Sequence, residues 1–199
     1  MLRFIDSLDD AENIRRTVQE VCRLDRRLPD MVFRGLRPVA LFSSDEMLSP
    51  KFPDLLRECA RYSNGFLVYL FQVDPSPEMY LEEFGFFRVA EFPVETPSQA
   101  VLDLLEWAPA AAPADDVATT GRTIVWTGED GGWAIWVDRM LEIAVLAIKP
   151  GSNSFEPGSM AGFPFVSSHE ALELIGLTFP NRVPEDFQLT FLANYGPTH

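Results

Sequence analysis

Residues 122–148 read RTIVWTGEDGGWAIWVDRMLEIAVLAI, and this stretch decides the fold. Three apolar, β-branched and aromatic runs stand out: Arg122 to Trp126, Trp133 to Val137 and Leu141 to Ile148. Glu129-Asp130-Gly131-Gly132 separates the first pair, and Asp138-Arg139 separates the second. Short Gly- and Asp-bearing connections between strand-like runs specify hairpins, so the segment predicts a three-strand antiparallel meander. On the middle run Trp133, Ile135 and Val137 alternate with Ala134, Trp136 and Asp138, which puts a Trp on each face. A strand with Trp on both faces needs cover on both faces, from the chain's own helices or from a partner.

Working outward, helical signals flank this meander on both sides. Ser7, with Asp10 three residues on, opens a helix whose Ala11, Ile14, Val18 and Val21 share a face, and Pro29 is expected to stop it. A short strand is expected at Val39 to Phe42, and a helix from near Pro53 to an Asn64-Gly65 C-cap. Phe66 to Val73 is apolar on both faces and reads as a central strand. Ser76-Pro77 opens a helix ending near Gly85, Phe86 to Val94 is a further strand, and Thr96-Pro97-Ser98-Gln99 caps the next helix. Ser167-Ser168-His169-Glu170 is a capping box, and a last helix begins at Pro184. The class is α+β: a largely antiparallel sheet packed by several helices.

Residues 108–120 (APAAAPADDVATT) have no apolar period and read as an Ala/Pro/Asp-rich connector. They divide an N-terminal αβ half, 1–107, from a C-terminal half, 121–199, although one continuous domain fits the same pattern. Phe92 to Thr96 and Phe163 to Ser167 echo each other before a helix, as a duplicated unit would give, although capping preferences alone also produce such matches and are the favoured explanation.

Composition restricts the chemistry. The chain carries 30 acidic and 16 basic residues, a formal charge of −14, with two His and two Cys. Such a charge repels nucleic acid and anionic membranes and attracts cationic surfaces. No apolar h-region opens the chain and its longest apolar run is far too short to span a bilayer, so a cytoplasmic protein is expected. Cys22 and Cys59, both in helix-like segments, are expected to be reduced and packed. Phosphate-binding loops, zinc-ligand pairs, a calcium loop and a nucleophile elbow are all missing, and Gly158 to Gly162 has the wrong spacing for the last. His169 lies in a helical first turn with no aligned nucleophile. No catalytic residue, metal or organic cofactor is assigned.

Residues 132–146, GWAIWVDRMLEIAVL, resemble strand segments of uncharacterised bacterial proteins, some of immunity type. The resemblance implies a protein that acts by occluding a partner and transfers no functional residue. Together with the charge, it favours a binder of a basic protein. Asp115, Asp116, Glu129 and Asp130 are the expected contact residues, since connectors and hairpin tips present charge outward, with Trp126 and Trp133 as possible aromatic anchors. The alternative is a hydrolase or small-molecule enzyme whose carboxylates converge in a cleft, for acid–base work or to bind a divalent metal. Trp126, at a strand end, is expected to be more exposed than Trp136.

Overall fold

The computed structural model describes residues 2–150 and 162–196. At its centre is the meander: β4 (Thr123–Gly128), β5 (Trp133–Asp138) and β6 (Ile143–Ile148), paired antiparallel with Trp126 opposite Ile135 and Trp136 opposite Val145. The second connection is longer than Asp138-Arg139. Asp138 still pairs with Ile143, and Glu142 takes a left-handed φ of 56°, so the turn spans residues 139–142.

The remaining strands extend this core in both directions. On one side β2 (Leu67–Asp74) pairs with β4, and β3 (Val89–Pro93) with β2. On the other, β1 (Arg37–Ser43) pairs with β6, and β7 (Phe165–Val166) with β1. The result is one antiparallel seven-stranded sheet in the order β3-β2-β4-β5-β6-β1-β7. Strands from before and after residues 108–120 therefore interleave, and that segment does not separate two sheets. It folds partly into a helix, α5 (Val117–Thr120), whose Val117 is buried against the sheet.

Helices cover both faces, which explains why every residue of β4, β5 and β6 is buried. One layer holds α2 (Phe52–Ser63), α4 (Ser98–Glu106) and α5, packed on Trp126, Trp133, Ile135, Val137 and Leu146. The other holds α1 (Leu8–Val21), α6 (Ser168–Thr178) and α7 (Glu185–Tyr195), packed on Val125, Ala134, Trp136 and Val145. The alternation along β5 thus puts Trp133 in one core and Trp136 in the other. A further helix, α3 (Pro77–Phe84), links β2 to β3 and ends on Gly85 with φ 77°.

Local signals set most boundaries. The Ser7 hydroxyl accepts the Asp10 N–H at 3.3 Å, and Asn64 ends α2 in the left-handed region. At α6 both halves of the Ser167–Glu170 capping box form. Two helix boundaries differ from expectation, and β3 begins at Val89 rather than Phe86. α1 ends at Val21, eight residues before Pro29, because Cys22 leaves the helix and bridges Phe33, drawing Leu28, Val32 and Phe33 under the sheet. Pro97 rather than Thr96 takes the cap position of α4, where Arg57 donates to the Thr96 carbonyl and the Ser98 hydroxyl.

The echo between residues 92–96 and 163–167 has no counterpart in topology. β2 and β3 are antiparallel neighbours, whereas β6 and β7 each pair antiparallel with the β1 between them. Both sheet edges are guarded against further pairing. Ile5 bonds to Val89 and Phe87 along β3, Pro93 ends that strand, and β7 is two residues long.

Candidate functional site

The four carboxylates expected to face a partner all have work inside the chain. Asp115 accepts from the guanidinium of fully buried Arg88 at 3.1 Å, from Tyr80 at 3.1 Å and from Thr120 at 2.7 Å. Asp116 caps α5 by accepting the Thr119 N–H at 2.6 Å. Glu129 accepts the Phe66 N–H at 2.8 Å, and Asp130 closes its own turn on the Gly132 N–H at 3.2 Å. The pairs also lie at opposite ends of β4, separated by about 20 Å of strand, so they do not form one patch. Short carboxylates beside backbone donors fold back onto them, and that competes with outward display.

Trp126 and Trp133 are fully buried, so neither can anchor a partner from the folded chain, and Trp126 is no more exposed than Trp136. Their cover is internal: Phe52 of α2 meets the Trp126 ring edge-on at 5.2 Å. The tryptophan left in contact with solvent is Trp107, at the end of α4 and 40 % exposed. His169 is exposed in the first turn of α6, 3.7 Å from Glu173, while Gly158 to Ala161 and His199 lie outside the described residues. Cys22 and Cys59 are free, buried in opposite cores, and burial pushes both thiols up, which leaves them protonated and inert.

Negative charge gathers around the β3 edge, although Asp115 and Asp116 are engaged as above and Glu78 pairs with Arg15 of α1. Residues 74–116, which supply α3, β3 and α4, hold ten Asp and Glu residues and one basic residue, Arg88, whose charge is spent internally on Asp115. Beside this edge, residues 2–6, α1 and strands β2 and β3 enclose a groove of about 550 Å³. Asp6, Asp10, Asn13, Thr17, Tyr69 and Glu91 present oxygen atoms to it, against a single basic side chain, Arg3. Helical spacing explains part of this: Asp10, Asn13 and Thr17 recur at intervals of three and four along one stripe of α1. Register explains more, since Tyr69 and Glu91 are cross-strand partners on β2 and β3.

The electrostatics of the groove are one-sided. Burial first, then Glu91 and Glu129, push the Tyr69 hydroxyl up to about 12, so it stays protonated and hydrogen-bonds to Glu91. An acceptor-rich groove of this kind suits ammonium or guanidinium groups. Among the described residues no three His, Cys, Asp or Glu side chains are grouped to hold a metal ion, and no helix is long and apolar enough to cross a membrane. Among the described residues the carboxylate with a raised pKa is Asp138, 6 % exposed, lifted by burial; its Oδ1 accepts the Leu141 N–H at 3.1 Å within the 139–142 turn.

Compared with protein-family models, curated proteins and solved structures, the chain matches none of them.

The acidic surface beside the groove has a signal in the sequence. The ten-to-one imbalance over residues 74–116 is visible in the composition of that window, but the burial of Arg88 is visible only in the fold.

Proposed function

We propose that this chain binds and masks a basic protein partner, in the manner of an inhibitor or immunity protein, through the acidic surface beside β3. The observation that carries the reading is the ten-to-one imbalance over residues 74–116 next to a groove lined by Asp6, Asp10 and Glu91. An excess of one charge on one side of a molecule accelerates encounter with an oppositely charged surface and repels nucleic acid. The resemblance of residues 132–146 to immunity-type strand segments points the same way. Neither a metal nor an organic cofactor enters this reading.

The test is affinity capture from native cytosol on the immobilised chain at low and moderate salt, followed by association kinetics with each captured species. Basic proteins should be enriched at low salt, with association rates falling steeply towards physiological ionic strength, where the screening length is about 8 Å. Replacing Asp6, Asp10 and Glu91 with Asn, Asn and Gln should slow association. Capture of neutral or acidic species only, or a divalent-dependent hydrolysis abolished by one carboxylate substitution, would overturn the reading.

A further inference from the structure

At one end of the acidic surface five aromatic rings pack against one another. Phe4 stacks on Phe86 at 5.6 Å, Phe86 meets Trp107 edge-on at 5.3 Å, and Phe84 stacks on both Phe86 and Tyr80 at 6.1 and 6.0 Å. The inner end is fixed: Tyr80 is buried and sits under Arg88. The outer end is open, with Trp107 40 % exposed and Phe84 and Phe86 half-buried. Large apolar rings left in water beside a well-filled core mark a surface that something else covers.

We infer that this face is the docking seat for an arginine-bearing segment of the basic partner, an inference that rests on the function proposed above. Charge selects the occupant. Glu82 and Glu83 precede Phe84 in the chain, Glu106 precedes Trp107, all three are exposed, and no basic residue occurs between Arg88 and Arg122. An apolar aromatic surface with an anionic rim attracts a guanidinium, which lies flat on indole and phenyl rings while its charge meets the carboxylates. The rings brace one another, so little side-chain freedom is lost when a ligand covers them. Phe4 also lines the groove beside β3, so one extended segment can reach both.

The experiment is a titration of the full chain with an (Arg-Gly)5 peptide and its Lys and Glu counterparts, followed by the ¹⁵N indole resonances. The Trp107 indole should shift with the Arg peptide, least with the Glu peptide, while those of buried Trp126, Trp133 and Trp136 stay in place. Trp107→Ala should weaken Arg-peptide binding roughly tenfold, with Trp107→Tyr retaining most of it. Glu83→Gln with Glu106→Gln should weaken it and flatten its salt dependence, and unchanged thermal midpoints would show that these variants fold. Arg-peptide binding that leaves the Trp107 resonance and the Trp107→Ala affinity unchanged would overturn this docking seat and leave the basic-partner reading standing. Absence of binding by either basic peptide at low salt would overturn both.

Discussion

The guanidinium of Arg88 lies 4.0 Å from the centroid of the Tyr80 ring, and both side chains reach the same carboxylate oxygen of Asp115 at 3.1 Å. Arg88 also donates to Thr120 at 2.9 Å and to Gln72 at 3.3 Å, so one buried cation ties β2, α3 and the 108–120 segment together. A charge removed from water needs its counter-ion, and losing one partner costs more than the pair contributes.

Asp115→Asn should therefore be destabilising, although Asp115 lies in a solvent-facing segment. The loss should fall toward the lower end of the roughly 3–5 kcal/mol that follows removal of one member of a buried pair, because Asn keeps an acceptor. Adding Arg88→Met should recover part of it, since an apolar side chain of similar length leaves no unpaired charge. Urea midpoints of the single and double variants decide this. Equal stability of Asp115→Asn and the parent chain would mean that Arg88 does not depend on that carboxylate.

Trp126→Ala and Trp136→Ala should be damaging to a similar degree, each costing about 3–5 kcal/mol. Both side chains are fully buried, one under Phe52 and Phe92 and the other within 5.9 Å of the Arg27 guanidinium. The check is chemical denaturation at a fixed pH. A Trp126→Ala midpoint indistinguishable from the parent would restore the expectation that this ring is part-exposed.

The difference between those two expectations marks how far the residues alone could be read. The meander was legible because turn chemistry and strand alternation agree over residues 122–148, and the caps at Ser7, Asn64 and Ser167 were legible because capping is local. Strand order was not, because nothing local says that β1 inserts between β6 and β7, or that β2 lies between β3 and β4. Burial at a strand end depends on what arrives from elsewhere, so Trp126 looked open until α2 covered it. The same holds for charge: Asp115 and Glu129 look solvated in sequence, yet Arg88 and the Phe66 N–H claim them from 27 and 63 residues away. Long-range partners decide whether a carboxylate is structure or surface.

Tyr195→Phe should isolate one such long-range bond. The Tyr195 hydroxyl donates to the Asp30 carbonyl and accepts the buried Val32 N–H at 3.0 Å, pinning α7 to the segment that leaves α1. Removing the oxygen strands a buried backbone donor, at a cost of about 1–3 kcal/mol. For a chain of this size that corresponds to a fall of roughly 2–4 °C in Tm per kcal/mol. Faster amide exchange at Val32 should accompany the lower Tm, and unchanged exchange there would place the loss elsewhere.

Asp138 supplies a pH dependence whose sign is opposite to the usual carboxylate case. Burial raises its folded-state pKa above the ordinary value, against the lowering effects of backbone bonds from Leu141 and Met140 and of Arg27, with Asp74 adding to the rise. The folded chain therefore binds this proton more tightly than the unfolded chain does. Its contribution to stability is fully present below the unfolded pKa and is lost as pH rises through the folded one. Above that folded-state pKa the carboxylate is a buried charge and a net cost. Asp138→Asn keeps the acceptor for the Leu141 N–H and removes that charge, so it should raise Tm at pH values above the folded-state pKa. It should also abolish the gain in stability that the parent chain shows as pH falls towards the ordinary carboxylate range. Thermal melts of both chains across that range measure the difference, and parallel curves would mean that Asp138 titrates in the folded protein as it does in water.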